Sequence, residues 1–129
     1  MIDIKPAVYK VINETIKELH LCSKIKAYWI APKVGNTLPC IIINEVGNDD
    51  YARLPEIEYA NITIQFTNYA DDENPEDLFE MANILDIAMC NKLGFKKNYS
   101  GEMMYRDGVY SQILNFTAVV NHNKIIFKQ

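Results

Sequence analysis

The run Tyr59-Ala60-Asn61-Ile62-Thr63-Ile64-Gln65-Phe66-Thr67-Asn68-Tyr69 constrains this chain more than any other stretch. It sets Ile62, Ile64 and Phe66 on one side and Asn61, Thr63, Gln65 and Thr67 on the other, the period of two of a half-buried strand. An acidic turn, Asp71-Asp72-Glu73, follows. Asn74 is then expected to cap a helix, with Pro75 at its first position and Glu76 and Asp77 in its first turn, where carboxylates meet the positive end of the helix dipole. Leu78, Ala82, Leu85 and Met89 repeat at helical spacing, and Gly94 after Leu93 is the expected stop. Residues 57–93 therefore predict a strand whose apolar face receives a helix and whose amide and hydroxyl face stays free. The role of that free face is the functional question.

The other elements fall around this unit. Ile4, Val8, Val11, Ile12, Thr15, Ile16 and Leu19 form one stripe of an opening helix, with Asp3 as cap and Pro6 in the first turn. Lys10, Asn13, Glu14, Lys17 and Glu18 take its solvated side. Ile25 to Ile30, holding the only tryptophan, Trp29, reads as a short strand ended by Pro32, and Gly35 and Asn36 mark a turn. The apolar run 38–46 has strand length, with Pro39 at its entry. Residues 47–55 break all periodicity and read as a polar loop carrying Tyr51 and Arg53. Runs 95–105 and 109–120 flank Arg106-Asp107-Gly108, and Asp-Gly between strands is a hairpin signal. Leu114, Phe116, Ala118 and Val120 share one face there, and Ser111, Ile113, Asn115 and Thr117 the other. Residues 124–128 read as an edge strand or a tail. The expected fold is α+β: a mainly antiparallel sheet of about four to five strands, covered on one face by two helices, in a single domain over 1–129.

Charge is distributed unevenly. Residues 34–91 hold twelve acids and one base, Arg53, a net of −11; the flanks hold twelve bases and five acids, a net of +7, which together give the −4 of the whole chain. If the fold separates the signs, copies attract head to tail; if the strands of the segments interleave, the charges mix. No run reaches the roughly 18 apolar residues of a membrane span, and the start shows no signal-peptide pattern, so cytoplasmic synthesis is expected.

The residues give little support to catalysis. Cys22, Cys40 and Cys90 are odd in number and widely spaced, which argues for buried thiols over disulfides or zinc. His20 and Cys22 are too isolated for a metal site, and His122 stands alone. No nucleophile elbow, phosphate loop or dinucleotide fingerprint occurs. The acidic turn lacks the ligand spacing of a calcium loop, and helix capping accounts for it. A basic face of Lys24, Lys26, Lys96 and Lys97 lacks a nucleic-acid motif and is outweighed by acids. No catalytic residue, cofactor or metal ligand is expected, and assembly remains. The candidate contacts are Asp49, Asp50, Tyr51 and Arg53 in the loop, and Asn61, Thr63, Gln65 and Thr67 on the polar strand face.

The pattern of the opening helix, Leu38-Pro39 before the apolar Cys40-Ile41-Ile42-Ile43, the strand Ile62 to Phe66 with Tyr69-Ala70, the acidic gap and the helix to Leu93 resembles the small tail-terminator, or tail-completion, proteins of long-tailed bacteriophages. The final hairpin matches in order. The resemblance covers nearly the whole chain, is one of pattern, and departs at 48–55 and after Val120. It implies a non-enzymatic phage or prophage virion protein, assembled in the bacterial host cytoplasm. Such a protein forms a ring, commonly a hexamer, on the tail tube, ends tube polymerisation and joins the tail to the head connector protein. Two other classes stay open: a small α+β metal-dependent enzyme with a divalent ion at the acidic turn, and a host protein-binding module.

Overall fold

A computed structural model describes residues 5–19, 25–29, 38–54, 57–121 and 126–127; at 5, 29, 45–54, 57–60, 120–121 and 126–127 it describes the backbone alone. Helix α1 (Lys5–Leu19) is followed by β1 (Lys26–Trp29), β2 (Cys40–Leu54), β3 (Ile57–Asp71), α2 (Asp77–Leu85), a π-helical segment (Asp86–Lys92), β4 (Lys96–Ser100), β5 (Met104–Arg106), β6 (Val109–Asn121) and β7 (Ile126–Phe127). The class is α+β, as the sequence predicts, but the sheet has seven strands among the described residues instead of four to five.

The strands lie in the order β1-β2-β3-β6-β4, with β5 and β7 also pairing β6. All pairings are antiparallel except β1 with β2, which is parallel. Alternation sets the faces. Ile62, Ile64 and Phe66 of β3, Leu114, Phe116 and Ala118 of β6, and Ile41 and Ile43 of β2 are buried in one cluster with Val8 and Ile12 of α1, Leu78, Met81, Ile84 and Leu85 of α2, and Ala88 and Met89 beyond it. Phe66 and Phe116 meet edge to face with ring centroids 5.6 Å apart, a geometry aromatic pairs favour. On β2, Cys40 and Ile42 point the other way and are buried outside that cluster. This is why 38–43 reads as a continuous apolar run.

The segment 47–55 is corrected from a polar loop to strand: β2 continues to Leu54, opposite Ile57, while Pro55 lies outside the described residues. The physical reason is visible in the register. Glu45 and Gly47 face Ile64 and Thr63, and Asp50 and Ala52 face Ala60 and Tyr59, so Val46 and Tyr51 are extra residues at two bulges. Each bulge shifts the period of two by one place and erases the alternation. The run 95–105 is likewise two strands, β4 and β5, separated at 101–103.

The second helix starts later than expected. Asn74 and Pro75 lie in a turn, where Asp77 N donates to Asn74 O (3.1 Å) and Leu78 N to Pro75 O (3.1 Å). The N-cap of α2 is Glu76, with no side-chain cap. The chain then widens into π-helix, so that Leu93 N bonds Ala88 O at 3.1 Å. Gly94 ends it as expected, at φ +85°, where a side chain is disfavoured, and Phe95 N closes on Met89 O at 2.7 Å. Lys92 Nζ ties this end to α1, donating to Thr15 Oγ1 (2.9 Å) and pairing with Glu18 (2.8 Å). Lys97 of β4 pairs with Asp86 (2.8 Å). At such exposure each pair contributes at most about 1 kcal/mol, so they set register more than stability. The sharp turn Asp107-Gly108 has positive φ at both residues (52° and 80°), which makes the two-residue link of β5 to β6 that Asp-Gly predicts.

One residue on the inner face departs from the pattern. Asn68 stands opposite Ile41 and Gln112, is fully buried, and neither of its side-chain polar atoms finds a partner among the described residues. An unpaired buried amide costs about 1–3 kcal/mol. Asn68→Leu is therefore expected to raise the urea midpoint by the equivalent of about 1–2 kcal/mol; a lower midpoint would show that the amide is needed where it is.

Candidate functional site

Both helices lie on the inner face, so β3 and β6 turn a second face away from them. Of the polar residues expected there, Asn61 is exposed and Thr63, Gln65 and Thr67 are half-buried. Some of their hydrogen-bonding capacity is used within the sheet. Thr63 Oγ1 is 3.3 Å from Thr117 Oγ1, and the Thr117 hydroxyl lies 3.1 Å from both Asn61 Oδ1 and Ile62 O. One hydroxyl donates one proton, so Thr117 serves one of those two acceptors at a time. In register, Asp49 faces Asn61, Asp50 faces Ala60, and Arg53 faces Glu58; Tyr51 sits at a bulge. The backbone thus brings Asp49 beside Asn61 and strings the four expected loop contacts along β2. The side chains of Asp49, Asp50, Tyr51 and Arg53 lie outside the described residues.

Further along the same face is a feature that the sequence did not reveal. An open groove of about 740 Å³ is floored by Thr67 and Tyr69 of β3 and by Ser111, Gln112 and Ile113 of β6. Its wall is the edge of the sheet where β4 gives way to β5, with Tyr99, Ser100, Gly101, Glu102 and Met104. That wall is held at both backbone polar groups of one residue, Gly101. Gly101 N donates to Ile113 O (2.8 Å), and Gln112 Nε2 donates to Gly101 O (3.0 Å). Gly101 also lies under the Tyr99 ring: a Cβ there would sit 3.2 Å from Tyr99 Cε2 and Oη and 3.1 Å from Ile113 O. The missing side chain is what lets the ring and backbone approach. Tyr99, Met104 and Ile113 are exposed here with Met103 beside them, while Tyr105, also exposed, stands opposite Tyr110 on the other face with ring centroids 4.7 Å apart. The only sequence signal was Ser100-Gly101 inside a strand-like run, since a glycine within a strand marks a bulge or a close approach. The floor depends on the pairing of β3 with β6, which composition does not reveal.

The other candidate chemistry is dispersed or engaged. At the acidic turn, Asp71 Oδ1 accepts from Glu73 N (3.1 Å), Asn74 N (3.0 Å) and Asn74 Nδ2 (3.1 Å), so this carboxylate serves the turn itself. Among the described residues no group of three or more His, Cys, Asp or Glu side chains is placed to hold a metal ion. Lys26 lies on β1 and Lys96 and Lys97 on β4, at the two ends of the strand order. They do not make the single basic face considered above; Lys24, His20, Cys22 and His122 lie outside the described residues. The strands of the acidic segment, β2 and β3, are neighbours, with β1 on one side of them and β6 and β4 on the other. No described helix is long and apolar enough to cross a membrane.

Cys40 and Cys90 are free thiols. Burial pushes Cys40 up from 9.0 to about 11. Cys90 is also raised, first by burial and then by the Asp86 carboxylate, against a smaller lowering by Lys97. Neither environment favours the thiolate that a nucleophile needs. No protein-family model matches this chain, and no characterised protein matches it in sequence.

The Cys40 shift has a direction in pH. The folded state holds this proton more tightly than the unfolded chain, so the stabilisation is complete below pH 9.0 and is lost as pH rises through about 11. The stability advantage of the parent over Cys40→Ala, measured by urea unfolding, is expected to shrink across that window. A constant difference would contradict the burial of the thiol.

Proposed function

We propose that this chain is a structural phage or prophage tail protein that assembles into a homo-oligomeric ring on the end of the tail tube. There it ends tube polymerisation and joins the tail to the head connector protein. The resemblance of pattern suggests the role, and one observation carries the assembly part of it: the sheet ends in two unlike edges. On one side β1 covers only Cys40 to Ile43, so residues 44–54 of β2, paired with β3, have no strand on their other side among the described residues. On the other side β4 and β5 form an edge with exposed Tyr99, Met104 and Tyr105. Open strand edges invite pairing with another chain, and contact between two different edges is head to tail, which closes into a ring where the rotation permits.

Charge supports the same contact. The sequence from 45 to 58 carries Glu45, Asp49, Asp50, Glu56 and Glu58 against Arg53, whereas the far edge from 96 to 108 carries Lys96, Lys97 and Arg106 against Glu102 and Asp107. Attraction between exposed charges of this kind fades with salt, over a screening length of about 10 Å at 0.1 M. In this reading Asp49, Asp50, Tyr51 and Arg53 lie along the contact between copies. Asn61, Thr63, Gln65 and Thr67 form a hydrated face toward the tube or the connector. A hexamer is the ring size that the resemblance implies.

Light scattering over a salt series tests this. The parent protein is expected to form a particle of several copies at low salt that dissociates as salt rises. Tyr105→Asp, which places a charge on the apolar edge, is expected to remain monomeric while keeping its circular dichroism. A protein that stays monomeric at high concentration and low salt, even with tail-tube protein added, would overturn the proposal.

A further inference from the structure

The groove on the free face of the sheet has a chemistry of its own. Its one charged lining group is Glu102, which is exposed and has no ion-pair partner among the described residues. Two phenol rings, Tyr69 and Tyr99, share the lining with it, together with the thioether of Met104. Aromatic faces carry a negative quadrupole and attract cations, and a nearby carboxylate adds charge-assisted hydrogen bonding. The remaining lining is hydroxyl and amide apart from the exposed Ile113, and its polar part suits backbone groups. The wall is preorganised, because both backbone polar groups of Gly101 are already bonded and the Tyr99 ring rests against it. Preorganisation lowers the ordering cost of binding.

Shape narrows the class of ligand. A small molecule is usually enclosed over 70–90% or more of its surface, whereas this groove is open along the sheet face. A chain crossing it would be covered on one side only, as extended peptides are. We infer that the groove binds an extended peptide segment of another protein through a lysine or arginine side chain held by Tyr69, Tyr99 and Glu102. In the ring reading the acidic β2 arm of a second copy sits against Lys96, Lys97 and Arg106 of the edge, none of which lines the groove. The inference goes beyond ring formation, and its test reads peptide binding instead of particle size, so the two readings fail separately.

The probe is a short fluorescein-labelled peptide alternating threonine and arginine, titrated into the full chain beside the same peptide with neutral citrulline for arginine. Saturable one-to-one binding is expected, about tenfold weaker with citrulline. Glu102→Gln and Tyr99→Ala, each checked for native circular dichroism, are expected to weaken the arginine peptide by about fivefold or more, and Glu14→Gln, exposed on α1 across the sheet from the groove, to leave it unchanged. Equal binding of the two peptides overturns the proposal. So does equal loss with Glu14→Gln, which would mean general attraction to an acidic protein. Peptide that disperses an assembly of the chain would assign the groove to a second copy, and that also overturns it.

Discussion

The interaction on which the rest depends is the one-sided burial of β3 against β6. These two long antiparallel strands pair from Tyr59 opposite Asn121 to Asp71 opposite Val109, and on both the apolar residues fall on the same face. Phe66, Phe116, Ile62, Ile64 and Leu114 are fully buried there, and loss of a buried phenylalanine alone costs about 3–5 kcal/mol. That face draws both helices to itself. The opposite face is consequently left with hydroxyls, amides and the groove, and the sheet is left with edges that no helix covers.

The second consequence concerns the edges. Where β1 stops, β2 runs on; where β4 bends at Gly101, β5 resumes on the same side of β6. The π-helical segment holds the β4 end in place through Lys97 and Asp86, and holds α1 through Lys92, Thr15 and Glu18. A widened turn at this point brings Ala88 and Met89 into the core while Phe95 enters beside them. The bend at Gly101 is held within the sheet, through its bonds to Ile113 and Gln112 of β6.

Much of this was legible in the sequence wherever a period persisted. Val8, Ile12 and Thr15 announced the inner side of α1, Ile62, Ile64 and Phe66 that of β3, and Leu114, Phe116 and Ala118 that of β6; Asp107-Gly108 announced its turn. Legibility failed where local geometry broke the period. Bulges at Val46 and Tyr51 disguised half of β2 as a loop, and the Asp71 turn delayed a helix that Asn74-Pro75 seemed to start. Residue spacing carries no sign of whether β1 runs parallel to its neighbour. The groove was least visible, because Tyr69, Tyr99 and Ser111 become neighbours only through the register of three strand segments. Of the four expected contacts whose side chains are described, Thr67 lines it and Asn61, Thr63 and Gln65 do not.

The central claim is that the uncovered parts of the sheet, and not the helices, are the working surface. Hydrogen–deuterium exchange on the assembled and the salt-dispersed protein tests it most directly. The account predicts that residues 44–54 of β2 and the amides of β4 and β5 gain protection together on assembly, with α1 and α2 unchanged. Protection gained on the outward sides of α1 and α2, with the strand edges still exchanging freely, would contradict it.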